Sequence, residues 1–402
     1  MIKISEALRI IERETTPLGA ELVSLIDSVG RVLAEEVAAD MDLPPFDRSQ
    51  MDGYAVGSKD TQQVPATLEI VGESAAGHGW RKTLTAGQAV RIMTGAPVPE
   101  CADAVQKLEL ASEVTVGKKE LVEIRESVSP GQHIVRRASE IRKGDVALSS
   151  GTMITDNRVA MLAAFGYSKV KVGRRPRVTI MSTGSEVVEI DKTPGRDQIR
   201  NSNSVMLQAL CQRAGALTTA GPIIKDEVEL LRSAIAEIAE DTELLIITGG
   251  VSVGKHDHTK TVLEMLGAEV YFDKLALKPG KPAVFGRIGE TLVFGLPGNP
   301  ISAAVTFYLF VRKTILMMQN ASANDLREGS AVLASDVKAP RERDACIPSR
   351  FDTDNNGRLI AHSVKFVGSS DFIGFGAADS LIFVPKNSKL AAGGVATIFY
   401  LN

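Results

Sequence analysis

The chain has 402 residues, with 46 Lys and Arg against 49 Asp and Glu and a net charge of −3. Hydrophobic residues at 44% and charged residues at 24% are globular proportions, which exclude wholesale disorder and allow about two to four domains. The slight acidity excludes nucleic-acid binding through a global basic field, while leaving room for a local basic pocket.

The N-terminus carries the helical stripe Ile4, Leu8 and Ile11 among acidic residues and has no signal-peptide core. Residues 1–46 are expected to form one or two helices closed by Leu43-Pro44-Pro45-Phe46. Residues 47–137 are rich in Gly, Thr and Val, and their short alternating runs at 67–71, 89–93 and 121–126 predict a small β domain. Residues 138–172 return to a helical pattern, with Val159, Leu162 and Ala163 following the polar start Thr155-Asp156-Asn157. Packing of this segment on the N-terminal helices would make 1–46 plus 138–172 a helical linking domain and 47–137 an insertion.

From residue 173 the pattern changes to repeated strand, Gly turn and helix. Apolar runs at 178–182, 218–224, Leu244–Thr248 and 292–295 predict strands, with Asn203 as the cap of one intervening helix. Residues 173–322 are therefore expected to form a doubly wound, mostly parallel α/β sheet with ligands at the carboxyl ends of its strands. Beyond it, short runs at 331–333, 359–361, 381–384 and Val395–Tyr400 predict a β-barrel over 323–402. The apolar runs, such as 303–311, fall short of the roughly 18–20 residues of a bilayer span, so no membrane segment is expected. Cys101, Cys211 and Cys346 lack any CxxC spacing, which fits a reducing cytoplasm rather than a disulfide framework or a zinc-thiolate site.

The loops after these strands carry the candidate chemistry. Thr248-Gly249-Gly250-Val251-Ser252-Val253-Gly254 suits close backbone approach to an anion, and an ordinary strand–helix turn with Asp257 as cap fits it equally well. Leu296-Pro297-Gly298-Asn299-Pro300 reads as a helix start that also walls a phosphate pocket. Lys274, Lys278 and Lys281 surround a rigid Pro-Gly and form a positive patch for a phosphate or oxyanion, set against the plainer reading of a solvated charge run. Thr183-Gly184-Ser185-Glu186 and Asp226-Glu227-Val228-Glu229 both fit capping boxes. Glu186, Asp226 and Asp257 nevertheless all follow strands of one sheet, and converging hard oxygens beside lysines would suit Mg²⁺. His256 and His258 read as surface residues, and Asp47–Ala55 with 93–99 as turns.

In this order, FDRSQMDGYAV, RIMTGAPVP, STGSEV, ITGGVSVGKHDHTK, KLALKPGKP and GLPGNP resemble the molybdopterin molybdenumtransferase (molybdenum insertase) family, which includes the gephyrin E domain. The resemblance covers nearly the whole chain. It implies a four-part protomer, a homodimer, and an Mg²⁺-dependent reaction of adenylylated molybdopterin with molybdate that yields molybdenum cofactor and AMP. It places catalytic roles on Asp52, Thr94, Glu186, Asp226, Asp257, Lys274 and Lys278, with metal ligation by Glu186, Asp226 and Asp257. Cofactor-side contacts are expected from Thr183, Gly184, Gly249, Gly250, Ser252, Gly254, Lys281, Pro297, Gly298, Asn299 and Pro300. It also implies transient contact with the adenylylating enzyme and with apo-molybdoenzymes, and neither nucleic acid nor membrane as partner. The alternatives are a molybdopterin adenylyltransferase-like enzyme, normally a single α/β domain of less than half this length, and a non-catalytic dimeric scaffold. Two segments depart from the family pattern: Ala138 and Glu140 stand where Gly and Asp are usual, and Ala378-Asp379-Ser380 replaces a common Ala-Asn-Gly turn.

Overall fold

The computed structural model describes residues 1–250, 258–365 and 368–401, and the chain divides into two compact units. One comprises Met1–Glu35, Ser150–Val159 and Lys169–Asn402; the other comprises Glu36–Ser149 and Ala160–Ser168.

The larger unit is built on a six-stranded sheet in the order Leu217–Ile224, Arg177–Thr183, Leu244–Thr248, Thr291–Leu296, Pro282–Ile288, Glu269–Lys274. The first four strands are parallel and the last two join antiparallel. Leu244, Leu245, Ile246 and Ile247 are fully buried, as a parallel strand covered on both faces requires. Their transfer from water is worth about 6–12 kcal/mol before chain entropy is counted. Leu244 and Ile246 pack with Leu207 and Cys211 of helix Ser202–Arg213 on one face, while Leu245 and Ile247 pack with Leu231 and Ile235 of helix Val228–Glu240 on the other. The sheet is therefore doubly wound, as expected.

Helix Pro300–Met318 corrects the expectation that no segment reaches bilayer length. It has 19 residues and a mean hydropathy of 1.5, but 89% of its apolar window is buried inside the protein, which makes it a core helix. Its sequence run looked shorter because Arg312 and Lys313 interrupt it. Lys313 is buried at the core edge, where its ammonium group meets Glu12 of the N-terminal helix at 2.9 Å and Asp325 at 2.6 Å.

The linking segments are less helical than expected. Only Ile4–Glu14 is an α-helix in the first 46 residues, and only Asp156–Ala164 in 138–172. Their mutual contact includes an antiparallel strand pair, Ala20–Ser24 with Lys169–Gly173, because Lys-Val-Lys-Val alternates with the period of a strand. After the core helix, Asp344–Thr353, Leu359–Ser363, Glu328–Leu333, Val395–Tyr400 and Ser380–Val384 pair in that order, and the last returns to the first. This is a closed five-stranded barrel. Leu277–Lys278 of the lysine loop adds to its edge, paired in parallel with Asp344 and Ala345.

The smaller unit carries a second six-stranded sheet in the order Ala104–Lys107, Gly53–Val56, Gln88–Ile92, Ala66–Ser74, Lys119–Ile124, Ala111–Val116. Gly53–Val56, which reads as part of a turn, is instead a buried inner strand. Tyr54 and Val56 enter one apolar cluster and Ala55 the opposite one, so the strand shows no polar alternation. Glu113 accepts Arg91 Nε at 2.6 Å, Arg91 Nη2 at 2.8 Å and the Tyr54 hydroxyl at 2.6 Å. These bonds hold its carboxyl down at about 2. A depressed carboxylate stabilises the fold above its unfolded pKa near 4.3, and that contribution disappears as the pH falls towards 2. Thermal unfolding of Glu113→Gln is therefore expected to depend less on pH than the wild type between about pH 4.5 and 2. Identical pH profiles would remove Glu113 from the acid transition.

The departure at residue 138 has a physical signature. Ala138 has φ +59°, a left-handed conformation that costs an alanine about 1–2 kcal/mol. It lies among Arg136–Asp47 (2.6 Å), Arg137–Asp42 (2.6 Å) and Arg48–Glu140 (2.9 Å) ion pairs, which hold the turn in place. Ala138→Gly relieves the strain at the expense of about 0.4–1 kcal/mol of unfolded-chain entropy, so a net gain of about 0.5–1 kcal/mol is expected. An unchanged or lower Tm would show that the turn is not strained.

Candidate active site

Four strands end on the same side of the larger unit's sheet, and the loops that follow them line a cavity of about 1040 Å³. The first loop leaves Thr183. No helix starts there: the chain turns at Gly184 and enters the short strand Val187–Val188, which removes the capping role for Glu186. A Cβ at Gly184 would fall 2.8 Å from Glu186 Oε2, so the carboxylate folds back over this glycine. Asp226 does not cap its helix either. The N-cap of Val228–Glu240 is Glu227, and Asp226 instead accepts a hydrogen bond from the Thr183 hydroxyl. Glu186, Asp226 and Thr183 all line the cavity, which leaves two carboxylates and a hydroxyl free of helix-capping duty.

The Gly249-Gly250 turn follows Leu244–Thr248. Gly249 has φ +95°, and a Cβ there would lie 2.1 Å from the Thr183 carbonyl oxygen. The backbones of the first and third loops thus touch at a position only glycine can occupy. Gly298 packs against the Gly249 Cα from the other side, where its own Cβ would make an ordinary 3.6 Å contact. Asn299 precedes Pro300, the first residue of the core helix, as expected. Its side chain makes no cap and donates to the Ser369 hydroxyl at 2.9 Å. Residues Ser252, Gly254 and Asp257 lie outside the described residues.

The lysine loop opens on a second cavity of about 610 Å³. Lys278 and Lys281 line it from the loop and Lys338 and Arg343 from the C-terminal region, with Pro297, Asn299 and Ser369 also in its wall. Pairing of Leu277–Lys278 with the barrel edge is what brings Arg343 to the lysines. The cavity has four cations and no carboxylate among its described lining residues, so it suits a doubly charged oxyanion or a phosphate. Burial pushes the Cys346 thiol in this wall up to about 12, which keeps it protonated and inert.

The sequence places carboxylates and lysines in one pocket, whereas the structure puts them in two cavities that share Asn299. Lys274 lines neither: it ends the strand Glu269–Lys274, and its carbonyl accepts the Ile2 amide at 2.9 Å. Asp52 and Thr94, which belong to the smaller unit, are brought together. The Asp52 carboxylate accepts the Thr94 amide at 2.6 Å and its hydroxyl at 2.8 Å, and these bonds hold it below the usual carboxylate range. Lys338, Arg343, Ser369 and Asn203 are the site residues that sequence reasoning misses. For Arg343 a signal exists, the basic run Arg341-Glu342-Arg343 before a barrel strand.

Comparison with known proteins gives the same outline. Residues 2–166 match the MoeA N-terminal region (domain I and II), 179–317 a probable molybdopterin binding domain, and 330–399 the MoeA C-terminal region (domain IV). The molybdopterin molybdenumtransferase of Bacillus subtilis is 35% identical over 96% of this chain and 91% of its own length. The chain belongs to the molybdopterin molybdenumtransferase family. The Haemophilus influenzae member is 34% identical over 97% of this chain and 96% of its own. The crystal structure of the molybdopterin biosynthesis MoeA protein from Pyrococcus horikoshii OT3 matches with TM-score 0.81 and 29% identity over the full length of both chains. The family fold therefore accounts for the doubly wound sheet, the β unit and the closed barrel together.

Proposed function

We propose that this chain transfers molybdenum from molybdate into adenylylated molybdopterin with release of AMP. It is a transferase of molybdenum cofactor biosynthesis. The observation that carries the detailed reading is the meeting at Asn299 of a large cavity bearing carboxylates with a smaller cavity whose charged residues, among those described, are all cations. The larger volume suits a nucleotide-linked heterocycle, and the basic one suits molybdate or a phosphate group.

In this reading the Lys278, Lys281 and Arg343 cations hold the oxyanion, with the Ser369 hydroxyl beside them. The Thr183 hydroxyl fixes the Asp226 carboxylate by donating to it. Among the described residues no group of three metal-ligating side chains is assembled. Glu186 and Asp226 with Thr183 still form a hard-oxygen set that fits Mg²⁺, which takes one or two carboxylates plus substrate phosphates and keeps several waters. Mg²⁺ bound there would polarise the pyrophosphate linkage. Asp257 is the expected third ligand. We further place the enzyme in the cytoplasm as a homodimer. The exposed apolar side chains Leu22 (59%), Ile26 (73%) and Val29 (48%) support self-association.

Incubation of the purified protein with adenylylated molybdopterin, Mg²⁺ and molybdate tests this directly. Molybdate-dependent AMP release is expected, with product that reconstitutes an apo-molybdoenzyme. Tight binding of AMP without molybdate-dependent release would overturn the reading. Within the same assay, Arg343→Ala is expected to raise the KM for molybdate about tenfold, the worth of one charge-assisted hydrogen bond. The KM for adenylylated molybdopterin should stay unchanged, and an equal rise in both would place Arg343 outside the oxyanion site.

A further inference from the structure

We infer that Asn203 is a positioning residue, whose amide holds the Gly249-Gly250 and Pro297–Asn299 loops together as one wall of the larger cavity. The inference goes beyond the functional reading above and rests on it for the kinetic arm only. Asn203 lies in the first turn of helix Ser202–Arg213, where the cap is Asn201, which accepts the Ser204 amide at 3.2 Å. Asn203 is thus free of the capping role that its position in the sequence suggests. The residue is 9% exposed and lines the cavity.

Both donor contacts of that amide go to the ends of other strands. Nδ2 donates to the Thr248 hydroxyl at 3.0 Å and to the Gly298 carbonyl at 2.8 Å. The Thr248 hydroxyl in turn donates to the Pro297 carbonyl at 3.4 Å, so one side chain ties the last residue of one strand to the loop after the next. Oδ1 is buried and has no hydrogen-bond donor among the described residues. A purely structural asparagine would spend both ends on the fold, because a buried carbonyl without a partner is costly. Among the described residues the donor end alone is engaged, and both groups it holds belong to the cavity wall. Gly298, which this bridge holds directly, and Gly249, which follows Thr248, are neighbours in that wall.

Small displacements of positioned groups cost rate or affinity out of proportion to their cost in stability. The test compares Asn203→Ala with Leu231→Ala, which removes a fully buried side chain from the opposite face of the sheet. Two readouts are taken at a temperature where both variants are folded. The first is amide hydrogen exchange in the ligand-free protein. The Gly249 amide donates to the Leu296 carbonyl at 3.2 Å, so it reports the wall directly. Its exchange is expected to quicken at least tenfold in Asn203→Ala and not in Leu231→Ala. The second is the split of KM and kcat for adenylylated molybdopterin, with KM raised about tenfold in Asn203→Ala alone. Thr248→Val should raise KM by a similar factor, and the double variant should be no worse than Asn203→Ala, since the two residues act through one bridge. Equal exchange at Gly249 in the two alanine variants overturns the clamp, whatever the wild-type activity. Faster exchange with an unmoved KM overturns the positioning role. Absence of wild-type turnover would count against the proposed function, while the exchange arm still decides the clamp.

Discussion

Asp226→Ala is expected to lower molybdate-dependent AMP release about a hundredfold or more while the protein keeps its fold. The stability side follows from its surroundings. Asp226 is exposed, makes no helix cap and, among the described residues, loses a single hydrogen bond, that from Thr183, when truncated. A hydrogen bond to a charged group is worth about 1.5–3 kcal/mol, and the exposure of Asp226 keeps its loss towards the low end, although Thr183 itself is buried. The activity side is larger because Asp226 lines the cavity together with Glu186, where the proposed function would hold a cation and the substrate's phosphates. Asp226→Asn separates the two contributions. It retains an oxygen for the Thr183 hydroxyl and removes the charge, so it should be nearly as impaired as Asp226→Ala. If Asp226→Asn keeps more than a tenth of wild-type turnover, the residue acts through the hydrogen bond, and the metal-ligand assignment is withdrawn.

The α/β layer is the part of the fold most legible in sequence. Its strands are continuous apolar runs closed by Gly turns, and Leu244–Thr248 is found with the same bounds in both readings. Elements that depend on neighbours are less legible. Gly53–Val56 is a strand because Gln88–Ile92 and Ala104–Lys107 flank it, and four residues buried on both sides carry no period. The barrel strand Asp344–Thr353 is also hidden, since Pro348, Arg350 and Asp352 break its apolar pattern. Asn203 reads locally as a helix cap, and nothing in the sequence reveals that Asn201 takes that role and frees it.

The candidate site shows the same limit. Glu186 and Asp226 could be placed near one another from topology alone, because both follow strands of a parallel sheet. That the lysines open on a separate cavity depends on the barrel edge taking up Leu277–Lys278, a pairing between segments more than sixty residues apart. This separation has a chemical use. Carboxylates placed among the four cations would neutralise the field that draws an oxyanion, and lysines beside Glu186 and Asp226 would compete with a divalent cation for the same oxygens. Arg200 is the one basic residue among the described lining of the carboxylate cavity, and Asn299 lies at the junction of the two cavities with its amide donating to the Ser369 hydroxyl.

Gly249→Ala is expected to abolish turnover and to cost about 3 kcal/mol or more of stability, whereas Gly298→Ala, in the adjoining loop, should leave stability nearly unchanged. The contrast rests on where each added methyl group would go. At Gly249 the Cβ would stand 2.1 Å from the Thr183 carbonyl, a backbone atom at the end of a central strand that cannot turn aside, and the φ of +95° is itself hostile to a side chain. Relief requires the first and third loops to separate. Thr183 then moves with its hydroxyl, and Asp226 loses its fixed position. At Gly298 the nearest atom to the added Cβ is 3.6 Å away, an ordinary contact, and the backbone there is not left-handed. Thermal unfolding and AMP release measured on both variants decide the matter. A stable, active Gly249→Ala protein would mean that the two loops are not held in contact in solution. Loss of activity in both variants at unchanged Tm would instead assign the effect to ligand contact by this wall and not to the packing of its backbone.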